Sequence, residues 1–164
     1  MNLHYLHLLL NHFPIIGTAI ALLIMLVGLV KKNHTLQQTS LVIWLALALL
    51  NFAVMRSGEA AEEALEGQPG ISEQQMHEHE EAGETAHFLL LALGACSGIT
   101  LLMKSRGNSA GRLTLATTLI SAIALWAAVQ AGKEGGSIRH GDVLGAAQHQ
   151  GESVGKAGGE EGED

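Results

Sequence analysis

Apolar residues gather in four long windows that are almost free of charge, and the polar residues gather between them. No sustained alternation of apolar and polar positions runs through these windows, so they read as helices and not as strands. A soluble helix would show one apolar face, whereas these are apolar all round, as a helix in lipid must be. The pattern predicts spans at residues 5–30, 40–56, 87–103 and 113–131, and an all-α fold: a polytopic membrane protein built as a four-transmembrane-helix bundle. The continuous apolar part of the first span, Phe13 to Val30, covers about 27 Å at 1.5 Å per residue, close to the hydrocarbon thickness. Pro14 marks either a kink or the first turn after a short lead-in helix. The second span is short for a bilayer and is expected to continue as a helix into Arg56–Glu63 at the surface.

Small and polar residues inside the spans predict how the helices meet. Asn51 is expected to hydrogen-bond across to another helix, and Gly94-Ala95-Cys96-Ser97-Gly98 has the small-xxx-small spacing that lets backbones approach closely. The fourth span is rich in Ala, Thr and Ser and suits the same tight packing. Residues 1–145 form one membrane domain, and residues 146–164, rich in Gly and Glu, have the composition of a disordered acidic tail.

Charge adds a direction. Lys31, Lys32, Lys104, Arg106 and Arg112 lie in the first and third connections, while all 16 Asp and Glu residues lie in the second connection or after the fourth span. The positive-inside rule then places both termini and the acidic surface on the side away from the cytoplasm, periplasmic or extracellular. The start of the chain lacks the basic residues and cleavage site of a signal peptide, so the first apolar segment is expected to stay in the membrane. The single cysteine, Cys96, allows no intramolecular disulfide and no cysteine-based metal cluster.

On this topology the nine histidines fall almost entirely on one side. His4, His7, His12, His77, His79, His87, His140 and His149 belong to the outer face, and His34 alone to the inner one. A single histidine is most often a surface group, but an imidazole within the hydrocarbon boundary needs a partner or a ligand. His12, a turn inside the first span, is therefore the leading candidate. His87 opens the third span with Gly94 and Gly98 below it; those glycines either leave room for a flat porphyrin between helices or simply pack against a neighbour. Met76-His77-Glu78-His79-Glu80-Glu81 reads as a surface helix leading into that span, with carboxylates able to hold the second nitrogen of a metal-bound imidazole. The glycines of Gly135-Gly136-Ser137-Ile138-Arg139-His140-Gly141 are expected to turn the chain back over the bundle mouth and so bring in His140.

These motifs resemble a family of small bacterial inner-membrane proteins catalogued as a domain of unknown function, with four helices and a histidine-phenylalanine-proline motif in the first. The matching residues are His7-x-x-x-x-His12-Phe13-Pro14, Ser57-Gly58-Glu59-Ala60-Ala61-Glu62, His79-Glu80-Glu81-Ala82-Gly83-Glu84 and Gly135-Gly136-x-x-x-His140-Gly141, across about residues 3 to 145. The resemblance implies a b-type haem or copper binder and favours His7, His12, His79 and His140 as ligands. Leu8 stands where the family often has proline, which puts the helix lead-in around His7 in question.

Three functions follow. The first is a membrane-bound electron-transfer protein or subunit holding haem b by two histidines near the periplasmic face, exchanging electrons with quinone, a periplasmic cytochrome or other membrane electron-transfer subunits. His12 would be one axial ligand, with His79, His87 or His140 opposite. His7 and His12, about 140 degrees apart round one helix, cannot both serve. The second is a periplasm-facing copper or zinc binding or transport protein that uses the acidic, histidine-rich surface to gather cations, although five methionines give copper(I) little support. The third is a structural subunit of a larger membrane complex. No catalytic triad, phosphate-binding loop or HExxH zinc motif is present, so a binding protein or carrier is expected and not an enzyme, with no nucleic-acid partner.

Overall fold

The computed structural model describes residues 3–65 and 72–157, with side chains described within 6–65 and 72–137. It is all-α: α1 (Leu3–Leu10), α2 (His12–Val30), α3 (His34–Leu65), α4 (Glu73–Ser105) and α5 (Gly111–Ala157). Four helical stretches, Leu6–Val30, His34–Leu65, Glu73–Ser105 and Gly111–Ser137, are long and apolar enough to cross a membrane. The fold is thus consistent with a multi-pass membrane protein.

Each boundary has a local cause. Pro14 has no N–H for the carbonyl of Leu10 and its ring would crowd that carbonyl, so the helix breaks at Asn11 and restarts at His12. The proline sits in the first turn of α2 after a short lead-in helix. Lys32, at φ 51, turns the chain out of α2, and Gly107, at φ 73, does so after α4. Asn33 opens α3 by accepting the Leu36 N–H at 3.1 Å, and Ser72 opens α4 by accepting the Gln75 N–H at 3.4 Å. The second span continues without interruption through Arg56–Glu63, and Met76–Glu81 is part of the same helix as the third span.

Consecutive helices pack against one another, α2 on α3, α3 on α4 and α4 on α5; α5 returns to α2 and closes the bundle, while α1 lies against α3. Size sorting is inverted relative to a soluble protein. Thr18, Ser40, Ser97, Thr100, Thr114, Thr117 and Ser121 are buried, while Phe13, Ile16, Ile20, Leu23, Val27 and Val30 form an exposed stripe down α2. With lipid outside, large apolar side chains lose nothing by facing outward, and small ones inside let backbones approach. The buried hydroxyls largely satisfy themselves on their own helices, as Thr100 does by donating to the Cys96 carbonyl at 2.7 Å. Trp44, Met25, Leu41 and Leu93 fill the remaining core.

One open sequence reading is decided here and one expectation changes. A Cβ at Gly94 would run into the Cβ of Ala48, and one at Gly98 would lie 3.8 Å from Leu45, so these glycines face α3 and Gly94 is spent on close helix contact, not on room for a porphyrin. Second, α5 passes straight through Gly135-Gly136 with no turn back over the bundle, since helical packing on α4 outweighs the freedom of two glycines. Helix α5 runs into the segment expected to be a tail, of which residues 158–164 lie outside the described residues.

The basic end of the bundle is tied by a polar chain. Lys104 on α4 donates to Gln37 Oε1 on α3 at 2.9 Å, and the Gln37 amide donates to the Gly28 carbonyl on α2 at 3.1 Å. The opposite end carries the described histidines other than His34.

Candidate functional site

At that opposite end, helix α1 lays His7 against α3. Its Nδ1 lies 3.2 Å from the carbonyl of Val54 and 3.4 Å from Ser57 Oγ. A carbonyl can only accept, so Nδ1 carries the proton and Nε2 is the basic nitrogen. Across the bundle mouth, His79 on α4 donates Nδ1–H to the carbonyl of Ala131 on α5 at 3.0 Å, which fixes the same tautomer. Both rings are half-buried. A neutral imidazole held through Nδ1 by a carbonyl presents Nε2 in the form that binds metals.

The two rings meet. Their centroids are 6.4 Å apart with an interplanar angle of 73°. Each imidazole also rests on a glycine of a neighbouring helix: a Cβ at Gly58 would come within 3.1 Å of His7 Cε1, and one at Gly135 within 2.9 Å of His79 Cε1. Of the motifs Ser57-Gly58 and Gly135-Gly136, Gly58 and Gly135 seat the two rings.

The remaining candidates lie elsewhere. His12 is exposed, with Nδ1–H donated to the Leu8 carbonyl on the preceding turn at 3.0 Å. Carbonyls near the end of α1 are available because that helix stops at Leu10, and the imidazole uses one of them. His77 is exposed and lies beside Glu80 at 3.7 Å and Glu81 at 3.4 Å, in the manner of a solvated helix face. His87 pairs with Asn51, Nδ1 to Nδ2, at 2.8 Å, and the rings of Phe52 and Phe88 contact it edge to face. Asn51 was expected to bridge helices, and its partner is this histidine. The side chain of His140 falls outside the described residues.

Among the described residues no group of three or more His, Cys, Asp or Glu side chains converges as a metal cage. What the site offers is two imidazoles. An acidic groove lies at the same end, lined by Glu59, Glu62, Glu63, Glu73, Met76, His77 and Glu80. No protein-family model, curated protein or solved structure matches the chain, so the reading of the site rests on its own residues.

Proposed function

We propose that this is an electron-transfer protein of the bacterial inner membrane, or a subunit of one, that holds b-type haem between His7 and His79 near the periplasmic face. The observation that carries it is the ring pair: two imidazoles from opposite sides of the bundle mouth, each locked by a carbonyl in the metal-binding tautomer, 6.4 Å apart. The two rings supply the pair of neutral imidazoles that bis-histidine ligation of haem asks of a protein. Bound haem supplies reversible one-electron chemistry. The carbonyls of Val54 and Ala131 orient the ligands and strengthen their basicity, and Gly58 and Gly135 leave the space in which the rings sit.

The orientation with both termini outside follows from the basic connections at the other end, Lys31-Lys32 and Lys104 to Arg112. Electrons would pass between the haem and a quinone in the outer leaflet, a periplasmic cytochrome or a neighbouring membrane subunit.

The acidic groove favours a second reading, copper binding or delivery. Five carboxylates beside Met76 and His77 raise the local cation concentration, and a pair of imidazoles can hold copper(I) linearly. Metal and pigment analysis of protein purified from cells given ample haem and copper separates the two. Stoichiometric iron with a visible spectrum supports haem; colourless protein retaining copper supports the alternative and overturns the first.

A further inference from the structure

His87 is the one described histidine on this face that holds the opposite tautomer. Its Nδ1 faces the amide nitrogen of Asn51 at 2.8 Å, and an amide nitrogen can only donate. Nδ1 is therefore the acceptor and the ring proton sits on Nε2. Asn51 is 4% exposed and fixed in the α3–α4 seam, so it sets both the proton and the angle of the ring. His87 itself is half-buried, and among the described residues it has no further hydrogen-bond partner.

Its surroundings are those of the membrane boundary. Glu84, one turn earlier on α4, is exposed, while Leu90, one turn later, is in the core. Phe52 and Phe88 lie beside the imidazole, with ring centroids 5.6 Å and 5.7 Å from it, and are 52% and 66% exposed on the outside of the bundle. A donor N–H at the edge of the hydrocarbon has little water to bond, and leaving it unmet costs free energy. A ligand that approaches from the lipid, offers a carbonyl oxygen and has a flat ring to lay against phenyl groups satisfies all of these features at once.

We infer that His87, Asn51, Phe52 and Phe88 form a binding site for the head group of a membrane quinone. Nε2–H donates to one quinone carbonyl, Asn51 holds the donor in place, and the two phenyl rings pack against the quinone ring. The site deepens the electron-transfer reading by naming where its lipid-soluble partner docks, and its geometry does not require the His7–His79 pair to be loaded. An ester carbonyl of a phospholipid would meet the N–H but not the aromatic surface.

The test is equilibrium binding of decylubiquinone to the full chain in lipid nanodiscs, with the side-chain nitrogens of histidine labelled for NMR. The expected result is saturable binding above lipid partition, weakened about tenfold or more by His87→Leu and by Asn51→Leu, the scale of one lost buried hydrogen bond with its positioning. His79→Ala should bind decylubiquinone within about twofold of the parent even where it loses the visible spectrum, so failure of the haem reading leaves this result standing. In the parent protein the Nε2 resonance of His87 should be in the protonated form and should shift on saturation, a readout that does not depend on the variants folding. Binding that never rises above lipid partition, an unmoved Nε2 resonance, unchanged affinity in His87→Leu, or equal competition by a chain-matched aliphatic ester overturns the inference.

Discussion

The Nδ1 of His79 donates to the carbonyl of Ala131 at 3.0 Å, a bond that joins α4 to α5 with the ring centroid 6.4 Å from that of His7 on α1. The two imidazoles thus come from helices far apart in the chain, each anchored to the backbone of yet another helix. Four elements share one site.

Replacing either ligand should abolish cofactor retention. His7→Ala and His79→Ala are each expected to lose the bound group, because each leaves only one of the two imidazoles that would hold it. His12→Ala and His34→Ala should keep it. The residue pattern points first to His12; the proposed site uses His7, which lies beside His79, while His12 is exposed and bonded to the Leu8 carbonyl of α1. Pigment content per polypeptide in the four variants checks this, and loss in His12→Ala with retention in His7→Ala would reverse the assignment.

The glycine seats should be intolerant in a graded way. Gly135→Ala places a methyl group 2.9 Å from His79 Cε1, and Gly58→Ala places one 3.1 Å from His7 Cε1. Either methyl must displace the imidazole. We expect both variants to fold and to retain less cofactor or show a shifted spectrum, Gly135→Ala more than Gly58→Ala. Gly136→Ala, with nothing within 4 Å of its Cβ, is the control and should behave as the parent.

Packing in the middle of the membrane should separate Gly94 from Gly98. A methyl group at Gly94 collides with Ala48, both on helix surfaces that cannot swing away, so Gly94→Ala should destabilise the bundle by about 1–3 kcal/mol. Gly98→Ala, whose Cβ would sit 3.8 Å from Leu45, should change stability little. Unfolding in mixed detergent micelles measures both.

Orientation can be tested at the two ends. Single cysteines introduced in a Cys96→Ser background at Asn108, in the α4–α5 connection, and at Glu80, in the histidine-bearing end, should label oppositely with an impermeant maleimide. Glu80 is expected to react from the periplasm and Asn108 only after permeabilisation; the reverse pattern would invert the topology.

Much of the fold was legible because lipid imposes a coarse rule: long charge-free windows between charged connections. Asn51 as an interhelical donor followed from its residue type inside a span, and the helical run past Arg56 from the shortness of that span. The site was less legible. The break at Asn11 separates His7 from His12 and lays α1 on α3, and the rotation of so short a helix is set by tertiary contacts and not by periodicity. Gly94 and Gly98 beneath His87 carried two readings, and only the position of Ala48 on α3 decides between them. The pairing of Asn51 with His87 could have been found from depth alone, because each lies about one turn inside the charged residues Arg56 and Glu84 that mark the same membrane surface.

The most direct test of the central claim is the dithionite-reduced minus oxidised absorption spectrum of the detergent-purified protein, taken beside His7→Ala and His79→Ala. A Soret band with sharp reduced α and β bands in the parent, absent from both variants, is the expected result. A colourless parent protein despite ample haem supply, or a spectrum that survives in His79→Ala, would contradict it.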